Sequence, residues 1–216
     1  MTVAYALNIS STISGDFPVV AALINYKHLD KTLKIAALFY LVSSFFDWML
    51  EFTKMFTALG MSNNLPFVHL FIVISIFFYA VIYHRAFFSP ALKKTVIILS
   101  AATLPMIIFS SMFIDGIWNY PSASSTLLSI LLICFSLAYF YQLLNRQEFI
   151  HIEKQALFWI NSGVLIYFAI NIFLFMLFRS FSHSTQQYTF MINIITNIIA
   201  NILFTIGLLC QPQKQT

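Results

Sequence analysis

The stretch LKIAALFYLVSSFFDWMLEFTK, Leu33 to Lys54, carries no charge between Lys34 and Asp47, then places two acids and a lysine inside an oily run. As a helix rising ~1.5 Å per residue it is long enough to cross a hydrocarbon core of ~30 Å. Asp47 would lie ~21 Å and Glu51 ~27 Å above Leu33. Positions 47, 51 and 54 stand at i, i+4 and i+7, so the three side chains share one helix face, which should look into a bundle. An ionisable group at the depth of Asp47 costs at least ~2.5–3.5 kcal/mol and marks a site or a pathway. Glu51 and Lys54, nearer the surface, suit an interfacial ion pair.

Runs of the same kind fill the chain. Its 216 residues are 60% hydrophobic and 18% aromatic, with a mean hydropathy of +0.87 and 8% charged residues, far above the ~45–50% apolar content of soluble domains. The sequence predicts an all-α, single-domain membrane bundle with spans at about residues 4–26, 33–58, 66–84, 95–115, 124–144, 156–179 and 188–210. Gly60, Pro66, Ser89-Pro90, Asn119-Tyr120-Pro121 and Pro212 punctuate the connections. The first span is interrupted by SSTISGDFP. The N-terminus MTVAYALNIS has no basic segment ahead of its apolar run, so the first span is expected to remain in the mature chain.

Charge orients the bundle. Lys27, Lys31, Lys34, Arg85, Lys93, Lys94, Arg146, Lys154 and Lys214 fall on one side, 9 of the 11 basic residues, against Lys54 and Arg179 on the other. By the positive-inside rule the N-terminus is outside and the C-terminus cytoplasmic, in an inner membrane. The formal charge of +4 therefore fixes topology rather than attracting nucleic acid. Trp48, Trp118 and Trp159 lie toward span ends as interfacial anchors. Cys134 and Cys210 read as buried small hydrophobes, with no C-x-x-C motif.

The other polar residues inside spans define candidate sites. His69, ~5 Å below the outer surface, stands near the level of Glu51, so Asp47, Glu51 and His69 could open outward together. The set lacks a tight metal motif, and no cofactor is expected. In the last span Asn193, Asn197, Asn201 and Thr205 recur every fourth residue, a stripe that is either interhelical glue or the wall of a hydrated path. Asn171 stands opposite Asn193, and Asn161 near the level of Asn201. Asp16, in Gly15-Asp16-Phe17-Pro18, sits where proline removes a backbone donor, so freed carbonyls could serve an ion or substrate, or Asp16 could satisfy local backbone groups. Asn8-Ile9-Ser10 fits a glycosylation sequon.

Seven spans with an outside N-terminus invite comparison with opsins and receptors. The last span has no lysine for retinal, no Asn-Pro-x-x-Tyr follows, and the third span does not end in Asp-Arg-Tyr. Pro212-Gln213 lies outside any span, unlike the PQ pair of sugar carriers, and membrane hydrolases of the adiponectin-receptor type need several intramembrane histidines. The segments INYKHLDKTLKIAALFYLVS, NNLPFVHLFIVI and ALFWINSGVLIYF resemble a family of small bacterial seven-helix membrane proteins with no assigned function. That family's pattern has Asn-Asn-Leu, then a histidine and a glutamate six residues on; Asn63, Asn64, Leu65 and His69 fit, whereas Ser75 stands in place of the glutamate.

Three functions follow in order of fit. The first is binding or sensing of a small ligand in an outward polar pocket, with output through a partner protein because the tail is short. The second is a small-solute or proton-coupled carrier using Asp16 or Asp47 and the asparagine stripe. An intramembrane enzyme comes last, since no nucleophile, histidine and acid share a depth.

Overall fold

The computed structural model describes residues 3–57, 63–145 and 152–210, and within them every side chain except those of 3–4, 53–57, 153, 179, 183 and 184. Seven helices account for most of it: α1 Val3–Asn25, α2 Lys31–Thr57, α3 Leu65–Ala86, α4 Pro90–Phe109, α5 Ser122–Leu144, α6 Ala156–Leu177 and α7 His183–Leu209. Each contains a stretch long and apolar enough to span a membrane, and no strand occurs among the described residues.

Helix starts follow from local chemistry. Asp30 caps α2, its carboxylate accepting the Leu33 N–H at 2.7 Å, and Asn63 does the same for the Leu65 N–H at 2.7 Å ahead of α3. Pro90 opens α4 five residues before the expected start, because a proline at the first helical position loses no bond the helix would have made. Pro18 sits within α1, which stays helical through the whole SSTISGDFP stretch. α4 contains Pro105 and then loosens into a π-helical turn, Ser110–Asp115, that stops at Gly116 with φ +77°.

Consecutive helices alternate in direction and pack into a ring that α7 closes against α1. With an odd number of helices, α1 and α7 run parallel: Asn197 donates to Ser11 at 3.0 Å, Asn201 to Ser14 at 2.9 Å and Asn25 to the Leu208 carbonyl at 2.9 Å. Lys27, Lys31, Lys34, Arg85, Lys93, Lys94 and Lys154 then fall at one end, called here the basic end, and the starts of α1, α3, α5 and α7 at the other.

The outer face of the ring differs from the surface of a water-soluble protein, while the interior combines an apolar core with small polar residues. Large apolar side chains face outward, with Ile24 75% and Phe77 68% exposed, whereas Ser14, Ser75, Ser124, Ser129 and Ser136 are buried. That distribution suits a lipid surround, where small polar residues let helices approach and bond one another. Cys134, expected inside, is exposed on α5 and unpaired; lipid accepts a thiol as readily as a leucine. Toward the basic end the interior is aromatic, with Tyr40 stacked on Phe204 at 4.7 Å and Phe39 against Tyr79 at 4.8 Å.

Glycine lets α6 and α7 approach closely. A β-carbon at Gly207 would stand 2.8 Å from the Ala156 carbonyl oxygen and 2.8 Å from Ile160 Cγ1, so backbone would have to move. Gly207→Leu is expected to lower stability by ~1–3 kcal/mol in reversible unfolding of the detergent-solubilised protein, with the outward-facing Ile206→Leu as an unaffected control.

Candidate functional site

Two polar assemblies occupy the half of the bundle away from the basic end. The first is a seam among α1, α2, α6 and α7. Asn171, fully buried on α6, donates to Thr196 Oγ1 at 2.7 Å and accepts from Asn193 at 2.9 Å; Asn193 also donates to Tyr167 Oη at 3.2 Å. Asn197 and Asn201 turn instead to Ser11 and Ser14 of α1. The split is geometric: at 3.6 residues per turn a four-residue step overshoots a full turn by ~40°, so the stripe winds from α6 toward α1 as it descends. The polar interruption in the first span is thus the face that receives α7.

Asp47 joins this seam. A β-carbon added to Gly15 would lie 3.2 Å from its Oδ2 and 3.9 Å from Asn201 Nδ2, and Tyr167 is within electrostatic reach of the same carboxylate. Asp47 therefore faces Gly15 of α1, on the side of the bundle where Asn201 of α7 and Tyr167 of α6 also lie.

The other polar residues singled out in the spans have the following partners. Glu51 accepts from the Asn8 side-chain amide of α1, and the Lys54 side chain expected to pair with it lies outside the described residues. Asp16 accepts from Ser44 Oγ of α2 and from Trp48 Nε1 at 3.1 and 3.2 Å, so it bonds side chains of α2 rather than local backbone groups of its own turn. Trp48 consequently bonds within the bundle as well as reaching its surface. Asn161 bonds Tyr83 Oη at 2.6 Å and the Ser136 carbonyl at 3.2 Å, facing α3 and α5 instead of Asn201. No three histidine, cysteine or acidic side chains among the described residues are placed to hold a metal ion.

His69 belongs to the second assembly, where α3, the π-helical turn and α5 meet. Its Nε2 donates to the Asn119 carbonyl at 3.2 Å, and its Nδ1 lies 2.9 Å from Ser111 Oγ. Ser111 Oγ is 3.1 Å from Ser124 Oγ, which donates to Asp115 Oδ2 at 2.9 Å. Asp115, 1% exposed, also accepts the Ala123 and Ser124 N–H groups, both at 3.0 Å, and Ser110 Oγ at 3.2 Å. The carboxylate thereby caps α5 from across the turn, a favourable place for negative charge. Asn63, also reached through the third helix's entry, donates to the Trp118 carbonyl at 2.6 Å. Asn63 and His69 thus grip the 116–119 turn, while Ser75 bonds the Phe71 carbonyl of its own helix at 2.8 Å. Tyr120, in the same connection, stacks on Phe178 at 4.1 Å, and burial pushes its hydroxyl well above the ordinary tyrosine range.

Asp115 was not among the expected site residues. The signal available was an acid at the last turn of a span, seven residues before a serine-rich helix start, Ser122-Ala123-Ser124-Ser125. Beside it opens a groove of about 810 Å³, lined by Pro105, Met106, Phe109, Ile114 and Leu127 together with Asp115, Ser122 and Thr126. Ser122 is 6% exposed, and its hydroxyl oxygen is buried without a hydrogen-bond partner. No protein-family model, curated protein or solved structure matches the chain.

A double-mutant cycle on Asn171→Ala and Asn193→Ala should return a favourable coupling of about 0.6 kcal/mol in unfolding free energy, the mean for interhelical hydrogen bonds in membranes, and no more than ~1.7 kcal/mol. Strict additivity would mean that the seam does not join α6 to α7.

Proposed function

We propose that this chain is a multi-pass inner-membrane protein, N-terminus outside and C-terminus cytoplasmic, that binds a small amphiphilic ligand from the outer side and reports its presence to a partner protein. The observation that carries this reading is the groove beside Asp115. Its volume falls within the ~300–1,000 Å³ of ligand sites, its wall is apolar with a few polar atoms at one side, and it ends on the buried, unpartnered Ser122 hydroxyl. Leaving such a group unsatisfied costs ~1–3 kcal/mol, which a ligand hydroxyl or carbonyl would recover. The head group is neutral by exclusion. Among the described residues, an anion would meet the Asp115 carboxylate with no lysine or arginine in the lining, and a cation would compete with the hydrogen bonds that Asp115 accepts from Ser110, Ala123 and Ser124.

The proposed ligand site thus lies between α4 and α5 rather than at the Asp47 cluster. The seam at Asp47 favours a second reading, a proton-coupled carrier, because an acid held among a tyrosine and a run of amides is the composition of a proton path.

Purified protein in lipid nanodiscs, illuminated with a diazirine-bearing long-chain alcohol, should be labelled within residues 105–127. Labelling should fall several-fold in Ala123→Trp, which fills the groove, and the matching carboxylic acid should label weakly. Labelling spread evenly over the outer helix faces would contradict the pocket. Proton flux in liposomes that disappears in Asp47→Asn would establish the carrier instead.

A further inference from the structure

We propose that His69 and Asp115 hold one proton in common through the hydroxyls of Ser111 and Ser124, forming a proton-binding site in the wall of the α4–α5 groove. The argument is a count of hydrogens. Three contacts link the two residues: His69 Nδ1 to Ser111 Oγ at 2.9 Å, Ser111 Oγ to Ser124 Oγ at 3.1 Å, and Ser124 Oγ to Asp115 Oδ2 at 2.9 Å. Each needs one hydrogen. The Asn119 carbonyl can only accept, so the Nε2 hydrogen of His69 is committed to it and cannot serve the chain. A neutral imidazole and a carboxylate then leave the two hydroxyl hydrogens to fill three contacts.

One added proton completes the chain, and it can do so in two ways. Carried on Nδ1, it sets both hydroxyls pointing toward Asp115. Carried on Asp115, it sets both pointing toward His69. Moving it between the two sites shifts one hydrogen across each contact and leaves the net charge unchanged. The Ala123 and Ser124 amides, which donate to Asp115 at the positive end of α5, weigh toward the first arrangement. Burial enforces the count: His69, Ser111, Ser124 and Asp115 are all buried, so water does not fill the missing contact from the surface.

Among the described residues, the titratable side chains on the surrounding elements have partners outside this chain of contacts. Glu51 of α2 bonds Asn8, Asp47 faces Gly15 of α1, and Tyr120 stacks on Phe178. The described residues of the π-helical turn and of the first turns of α5 add no further ionisable side chain beside Asp115. Lys54, Arg179 and His183, which the sequence puts at this end, have side chains outside the described residues. The inference does not depend on what occupies the groove.

The test is ¹⁵N nuclear magnetic resonance of histidine-labelled full-length protein in detergent, with His69 assigned by His69→Gln, together with infrared spectra of the wild type and Asp115→Asn, at about pH 7. The expected result is one shared proton: His69 protonated on both nitrogens with Asp115 ionised, or a carboxylic-acid carbonyl band that Asp115→Asn removes with His69 neutral. Ser124→Ala or Ser111→Ala should abolish the sharing and return His69 to the Nε2–H form beside an ionised Asp115, a change that a purely structural serine would not cause. A neutral His69 with an ionised Asp115 in the wild type, or a second proton so that both are protonated, would overturn the proposal.

Discussion

The closure of this bundle rests on one constraint: a polar side chain held inside a bundle with an oily exterior has to find its partner within the protein. Hydrocarbon offers none, and each unsatisfied group costs several kcal/mol. The interior serines, asparagines and acids are therefore the connectors of the ring rather than interruptions in it. The α1–α7 contact shows how far this goes. Two parallel helices from opposite ends of the chain meet through Ser11, Ser14 and Asn25 on one side and Asn197, Asn201 and the Leu208 carbonyl on the other, which closes the bundle without relying on apolar burial that lipid would supply equally well.

The same constraint separates the two ends. Toward the basic end the interior is filled by aromatic rings, and the polar groups there, Tyr83, Ser136 and Asn161, satisfy one another in a compact knot. At the other end Pro105 and the π-helical turn break the regular ladder of α4, and Asp115 is spent on capping α5 and receiving Ser110 and Ser124. A helix ending in an irregular turn cannot pack as closely as one that ends in a cap, and the groove lies along that turn. Breaks of this kind in membrane helices are tolerated where they are buried or line a cavity, and π-helical turns recur at functional sites.

Much of this was legible in the sequence. The seven apolar runs were, because a span of ~20 residues is a long signal and proline and glycine mark its limits. Helices α4 and α7 begin five residues before the limits expected from the sequence, since Pro90 and the polar run Thr185-Gln186-Gln187 have loop-like composition while serving as helix. Asp47 and the asparagine stripe were visible because a four-residue repeat survives in one dimension. The His69–Asp115 assembly was not, because its members come from three segments and its serines look like ordinary small residues. Glu51 and His69 share a depth but point to different neighbours, and depth alone carries no azimuth.

Which end faces outward decides the meaning of both polar assemblies, and topology mapping tests it most directly. Reporter fusions in an intact cell after Gln155 and at Thr216 should read cytoplasmic, and a fusion after Asn63, beside the α3 start and the Asp115 turn, should read external, as the distribution of lysines and arginines requires. A cytoplasmic reading at Asn63 would put the groove and the His69–Asp115 pair on the inner side and contradict the account of an outward-facing ligand site.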